Sequence, residues 1–577
     1  MKRNLFRSIS ILFLAALSLS SCKKYFNPEP KFEDYEQEID KTVKRKVLII
    51  SIDGLVGQEL KKNVPTQIAA LMKNGKYSFD ALADENTSDP ASWATMMTGF
   101  NSKVHGVVND SYLPAPSSDN PHGSIDFMPS VIYRLEDKVP STRSSIVVQD
   151  EGLANILLMD ADDNVLVESD ENVKNETIAL LAKASPDLCI IQFKDVLRAG
   201  VKEGFSMDQA GYAAAIEKVD GYIGEILAFL KSRENYQYED WLIVVNSNHG
   251  GVNKSYGGES FQERNIFTLY HQKDFKGEEL IPEIIVAPQF YGYDGTESGP
   301  AKGVRARNVT EAVGEVNYNV AKTGKLTIEA KIKTNKNAAG NWSYIYPPFL
   351  SKVNARTGAT PGWSFFRAGN NVALWLGDGS SSIEVTGGPV SIDDQWAHIT
   401  GTIEGQGNNV VAKFYLNGSK VSELTKAMNI NNVTSTSPLT FGFQPNVFSG
   451  GFIDTYIADV HIWNTILTDD EIRDNARRMG VDDNHAKITN LVGYWPMSDG
   501  GPQLINKVAG MPDIPLQGDY QYKVVGNNLP FVDENAVLIQ NVDVVSQVFY
   551  WLGVTPNQNW ALEGSVFLSK YELEFLK

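Results

Sequence analysis

Two segments deliver the side chains best suited to chemistry. Lys46-Val-Leu-Ile-Ile-Ser-Ile-Asp-Gly54 is an unbroken apolar run that ends in Asp53, and Trp241-Leu-Ile-Val-Val-Asn-Ser-Asn-His-Gly-Gly251 is a second that ends in Asn248 and His249. A carboxylate and an imidazole are metal-ligating groups, and buried strands deliver their C-terminal residues to a common crevice. The plainer alternatives are an Asp that caps the next turn and a His hydrogen-bonded within a turn. A third segment, Asn86-Thr-Ser-Asp-Pro-Ala-Ser-Trp-Ala-Thr-Met-Met-Thr-Gly99, places Thr87, Ser88 and Asp89 ahead of a helical stretch. The hydroxyls are candidate nucleophiles, and helix N-capping is their commoner role. The chain has no Gly-x-Ser-x-Gly elbow, Walker loop, Cys-His pair or His-Glu-x-x-His motif to offer another catalytic set.

The elements that must position these residues alternate. Apolar runs over 46–52, 144–148, 188–193 and 241–246 read as buried parallel strands, and helix-period stretches over 66–73 and 207–231 lie between them. The expectation is an α/β parallel-sheet domain. Beyond about residue 300 the texture changes to period-2 runs such as Leu326-Thr-Ile-Glu-Ala-Lys-Ile332 and Val410-Val-Ala-Lys-Phe-Tyr-Leu416, broken by Gly, Asn and Ser. Asn417-Gly418 is a strong hairpin signal, and the region reads as an antiparallel β-sandwich. Residues 308–515 are about one sandwich in length and are expected to fold as an autonomous unit.

The Asn-His-Gly-Gly loop and the strand ending in Asp53 resemble the alkaline phosphatase superfamily, near its type I phosphodiesterase/nucleotide pyrophosphatase branch. The resemblance spans about 44–290 and 520–570, where Asn541 to Gly553 and Trp560 to Gly564 look like the closing helix and turn. It implies two zinc ions, one held by an Asp and two His, the other by the strand-end Asp, an Asp-His pair and the nucleophile. Asp53 and His249 match their positions. The rest departs. Asn248 stands for the Asp of the pair, and Leu197, Val201 and Tyr256 stand for all three ligands of the other ion. Counting back from Thr98-Gly99 puts the nucleophile position on Asp89, and a shift of one or two residues would restore Ser88 or Thr87. Gln395-Trp-Ala-His-Ile-Thr400, Phe414-Tyr-Leu-Asn-Gly418, Ile457-Ala-Asp-Val-His-Ile-Trp463 and Leu491-Val-Gly-Tyr-Trp-Pro496 resemble laminin-G/concanavalin A-like modules. The resemblance thus implies an alkaline-phosphatase-like domain over 44–300 and 520–577 with a sandwich inserted at 308–515.

The N-terminus reads as a processing signal. Lys2, Arg3 and Arg7 precede an apolar stretch, Ile9 to Leu19, too short to span a bilayer comfortably, and Leu19-Ser-Ser-Cys22 resembles a bacterial lipobox. Residues 1–22 are thus expected to be a lipoprotein signal with Cys22 lipidated, and 23–43 a tether. That places the protein in the cell envelope, anchored to the outer membrane. Cys189, the only other cysteine, sits in an apolar run as a core residue, so no intramolecular disulfide is available. A formal charge of -18 and the lack of a basic run argue against nucleic acid as partner.

These features favour an envelope lipoprotein whose phosphatase-like domain has lost its metal chemistry and acts as scaffold or binding module, with the sandwich a candidate glycan binder. No cofactor is expected. The competing expectation is a phospho- or sulfo-ester hydrolase using zinc or another divalent ion at a reduced site.

Overall fold

The computed structural model describes residues 43–115, 127–282, 284–292, 303–337, 339–389, 395–444, 453–525 and 536–576. The expected signal peptide, Cys22 and almost the whole tether lie outside them. Among the described residues no helix is long and apolar enough to cross a membrane.

The first sheet has the order β4-β3-β5-β1-β6-β7-β2-β8. Its strands are β1 (Lys44–Ile52), β2 (Gly75–Leu82), β3 (Ser144–Val148), β4 (Asp163–Leu166), β5 (Leu188–Phe193), β6 (Glu239–Asn246), β7 (Asn265–His271) and β8 (Glu278–Glu279). The five strands from β4 to β6 run parallel, while β7 pairs antiparallel with β6 and with β2. The sheet is therefore mixed, a parallel core with a reversed edge. β1 is continuously apolar over Val47–Ile50 because both its faces are covered there. Val47 and Ile49 pack under the helices 89–98, 131–138 and 544–552, and Leu48, Ile50 and Ile52 pack under 170–183 and 210–232. The tail helix Val544–Leu552 thus completes the α/β core, as its sequence implies. Cys189 is wholly buried in β5, and burial pushes its thiol up to about 12, which leaves it inert.

The other strands build the sandwich. They are β9 (Val286–Tyr291), β10 (Arg305–Arg307), β11 (Lys325–Thr334), β12 (Pro348–Val353), β13 (Gly362–Ala368), β14 (Asn371–Gly377), β15 (Ser382–Pro389), β16 (Ala397–Gln406), β17 (Asn409–Leu416), β18 (Ser419–Ala427), β19 (Thr440–Gly442), β20 (Asp454–Trp463), β21 (Leu491–Trp495), β22 (Gln503–Leu504), β23 (Ile514–Gln517) and β24 (Tyr522–Val524). One sheet runs β15-β14-β13-β12-β19-β10-β23-β22, the other β18-β17-β16-β11-β20-β9-β24 with β21 beside β20. Leu326, Ile328, Ala330 and Ile332 of β11 meet Trp363, Phe365 and Leu374 of the opposite sheet in one core. Asn417 (φ 47°) and Gly418 (φ 78°) form the two-residue turn between β17 and β18, with Leu416 opposite Ser419. Positive φ at both central positions is what a type I′ hairpin demands.

The sandwich is wider than 308–515. β9 pairs with β20 and with β24, and β10 lies between β19 and β23. Three strands outside the expected bounds are thus built into its sheets, so 308–515 is not a self-contained unit. Leu82, Phe261 and Ile285 also join the sandwich core, which fuses it to the α/β domain.

Candidate functional site

Asp53, Asp89, Asn248 and His249 converge at the C-terminal ends of β1 and β6, against the first turn of the helix Asp89–Thr98. Asp53 follows β1 directly, and its backbone N–H is held by Phe193 O of β5 at 2.9 Å. Its side chain is fully buried, and both oxygens already accept hydrogen bonds. Ser51 Oγ donates to Oδ1 at 2.8 Å, while Trp93 Nε1 (3.1 Å) and Gln192 Nε2 (2.7 Å) donate to Oδ2. Burial first, then repulsion from Asp89, raises the Asp53 carboxyl to about 6 against the pull of Lys194.

Asp89 is the hub. Its Oδ1 accepts from Asn248 Nδ2 at 2.8 Å and faces His249 Nε2 at 2.8 Å, and its Oδ2 lies 3.3 Å from Lys194 Nζ. Burial opposes ionisation of Asp89, but His249 and Lys194 outweigh it and hold the carboxyl well below its usual range. His249 Nδ1 faces Gly250 O at 2.6 Å. A carbonyl and a carboxylate can only accept, so both ring nitrogens carry protons and the imidazole is cationic. Burial alone would lower its pKa; Asp89 and Gly250 O more than offset that and raise it. Lys194 Nζ also pairs with Asp150 Oδ2 at 3.5 Å. Burial disfavours the ammonium, and Asp89, Asp53 and Asp150 together keep it charged.

The hydroxyls of Thr87 and Ser88 are engaged outside this cluster. Thr87 Oγ1 donates to Gly258 O (2.6 Å) and accepts from Gly257 N (3.1 Å). Ser88 is the N-cap residue of the helix, yet its hydroxyl donates to Asn86 Oδ1 at 2.8 Å and makes no capping bond. Asp89, not a hydroxyl, is therefore the side chain presented to Asp53 and His249. Asn248 is fixed from both sides, its Oδ1 accepting from Gly54 N (3.2 Å) and His249 N (2.8 Å).

Leu197 is buried in the apolar layer where the helix Asp195–Glu203 presses on Gly54; a Cβ at Gly54 would come within 2.9 Å of Leu197 Cα. Val201 is 44% exposed, one turn further along that helix. Tyr256 stacks flat on His249, ring centroids 4.5 Å apart at 4°. Among the described residues no group of three or more His, Cys, Asp or Glu side chains is placed to hold a metal ion.

Lys194, Asp150, Trp93 and Gln192 escaped the sequence reading. Lys194 had a signal, since it follows β5 just as Asp53 follows β1, its neighbour in the sheet.

Comparison with known proteins agrees with this architecture. The family model described as type I phosphodiesterase / nucleotide pyrophosphatase matches residues 47–367, and that of the concanavalin A-like lectin/glucanases superfamily matches 310–473. No curated protein matches in sequence. Similar solved structures include a 2-O GAG sulfatase, BT1596 (12% identity, 41% of this chain and 65% of that one, TM-score 0.33). Another is a putative sulfatase from Bacteroides thetaiotaomicron VPI-5482 (12% identity, 41% and 66%, TM-score 0.31). A third is human ectonucleotide pyrophosphatase/phosphodiesterase 5 (17% identity, 36% and 57%, TM-score 0.29). The matched region thus spans less than two thirds of the first sulfatase's own length. With the family model spanning more than half of the residues, from β1 through β13, the chain belongs to the type I phosphodiesterase / nucleotide pyrophosphatase family.

Proposed function

We propose that this chain is a cell-envelope lipoprotein whose phosphodiesterase-like domain no longer holds two zinc ions and serves as a binding or scaffold module, with a glycan the candidate ligand of its lectin-like sandwich. The observation that carries the reading is the closed ion cluster. Asp53, Asp89 and His249 spend their hydrogen-bonding atoms on Ser51, Trp93, Gln192, Asn248, Gly250 and one another, and Lys194 supplies a positive charge beside both carboxylates. A cationic imidazole has no lone pair for a metal.

The donor set points the same way. One ion would draw its ligands from positions 197, 201 and 256, and leucine and valine have no donor atom. Asn248 offers a neutral amide where an anionic oxygen would sit. The residues present do not fit a two-zinc centre. Without such a clamp, charge developing at phosphorus loses stabilisation worth roughly several kcal/mol.

The test is elemental analysis of dialysed protein lacking residues 1–22, with turnover of aryl phosphate, phosphodiester and sulfate reporters. Absence of stoichiometric metal and negligible turnover support the reading. Two metals per chain, or a turnover abolished by Asp53→Ala or His249→Ala, overturns it in favour of a hydrolase.

A further inference from the structure

We propose that Lys194 is the resident cation of this site, its own side chain filling a pocket for a small primary ammonium between Asp89 and Asp150. The inference deepens the proposed function and rests on its reading that the domain holds no zinc.

The pocket needs a cation. Asp53, Asp89 and Asp150 bring three carboxyl groups around Lys194, and the His249 imidazolium answers only Asp89 Oδ1. Asp150 Oδ1 accepts from Leu153 N at 3.0 Å. That leaves Asp89 Oδ2 and Asp150 Oδ2, and Lys194 Nζ lies 3.3 Å from the first and 3.5 Å from the second. Among the described residues neither oxygen meets another donor. A lysine ammonium is a compact charge with three rotatable donors, so it can serve both.

The chain aims Lys194 at this place by means other than the ion pairs. Lys194 follows β5 directly. Its backbone N–H (2.8 Å) and that of Asp195 (3.1 Å) donate to the two oxygens of Asp170, a wholly buried carboxyl group. Gln149 Nε2 also donates to Asp170, at 2.7 Å. The root of the side chain is thus held independently of its tip, and the pocket persists when the tip is removed. The Lys194 side chain is 16% exposed, so the pocket is reached from water.

The geometry selects an ammonium over a metal. Both contacts have the N···O separation of an ion pair, whereas metal–oxygen bonds are about 2.0–2.6 Å long. Among the described residues the acidic and imidazole side chains are not placed to converge on a metal ion. An ion that a metalloprotein takes from its surroundings is here supplied by the chain itself.

The test empties the pocket. Lys194→Ala in the full chain deletes three methylenes and the ammonium, and n-propylammonium replaces those atoms. The variant should melt below wild type at neutral pH, because the carboxylates lose a counter-charge. Millimolar n-propylammonium should raise its melting temperature saturably. Tetramethylammonium at equal concentration, which has no N–H to donate, should not, and zinc should do less than n-propylammonium. Neither wild type nor Lys194→Met, whose stem fills the pocket, should respond. Adding Asp89→Asn to Lys194→Ala should weaken the rescue at least about tenfold. If Lys194→Ala does not fold alone, its refolding yield with each salt gives the same comparison. Rescue that is absent, equal for the two ammonium salts, stronger with zinc, undiminished by Asp89→Asn or retained in Lys194→Met or wild type overturns the proposal. Stoichiometric zinc in wild type would instead sink the proposed function, whereas a zinc-free wild type without rescue of the variant sinks this inference alone.

Discussion

Asp53→Asn should make the α/β domain more stable, and increasingly so as pH rises. Asp53 is wholly buried and its carboxyl is held at about 6 against an ordinary 3.8. Folding therefore favours its protonated form. That contribution is fully present below the ordinary value and is lost as pH rises through about 6. The difference corresponds to roughly 3 kcal/mol at neutral pH and above. Asparagine keeps the shape. Its Oδ1 can accept from Trp93 Nε1 and Gln192 Nε2, and its Nδ2 can donate to Ser51 Oγ, whose hydroxyl rotates to accept. The assay is urea unfolding of wild type and variant at pH 4, 6 and 8. The stability of the variant relative to wild type should grow by roughly 2.5 kcal/mol across that range, whatever fixed offset the substitution introduces. A flat difference would show that Asp53 is not a buried carboxyl under electrostatic stress. Zinc that stabilises wild type and not Asp53→Asn would show that it ligates metal instead.

Removing the hub should have the opposite sign. Asp89→Ala takes from Lys194 its nearer carboxylate, leaving Asp150 at 3.5 Å, strips buried His249 of its counter-charge, and should lose about 3–5 kcal/mol in the same unfolding assay, with Lys194→Met restoring part of it. A loss under about 1 kcal/mol would mean that water reaches the cluster and screens it. A fragment spanning 284–525 should melt cooperatively, whereas 308–515, stripped of β9, β10 and β24, should be poorly folded by NMR; equal melts would refute the role given to those strands. Cys22→Ser should release the protein from the membrane fraction, and its persistence there would require a second anchor.

The α/β core was legible because strands buried on both faces are written as unbroken apolar runs, as in 46–52 and 241–246. The β17–β18 hairpin was legible because Asn417-Gly418 serves few other purposes. The edges of the sandwich were not. β10 has three residues, and β9 carries Pro288 among six, so neither shows enough alternation to announce a strand. At the site, motif positions located Asp53, Asn248 and His249. Counting also reached Asp89, yet the neighbouring hydroxyls competed with it, and only the hydrogen bonds of Thr87 and Ser88 separate them. Lys194 belongs to no motif, and its role arises from three carboxylates brought near it by distant segments.

The antiparallel pairing of β9 with β24 makes the two connections of the sandwich adjoin. To the α/β domain the insert is then a clamped loop rather than a long tether. Were the sandwich to melt while its host stayed folded, the host would have to hold together the ends of a floppy chain of roughly 240 residues, an entropic penalty of about 5 kcal/mol by the (3/2)RT ln n rule. That sum is comparable with the whole stability of an ordinary domain. Thermal damage to the sandwich is thereby transmitted to the neighbouring sheet through chain statistics, even where no side chain connects the two.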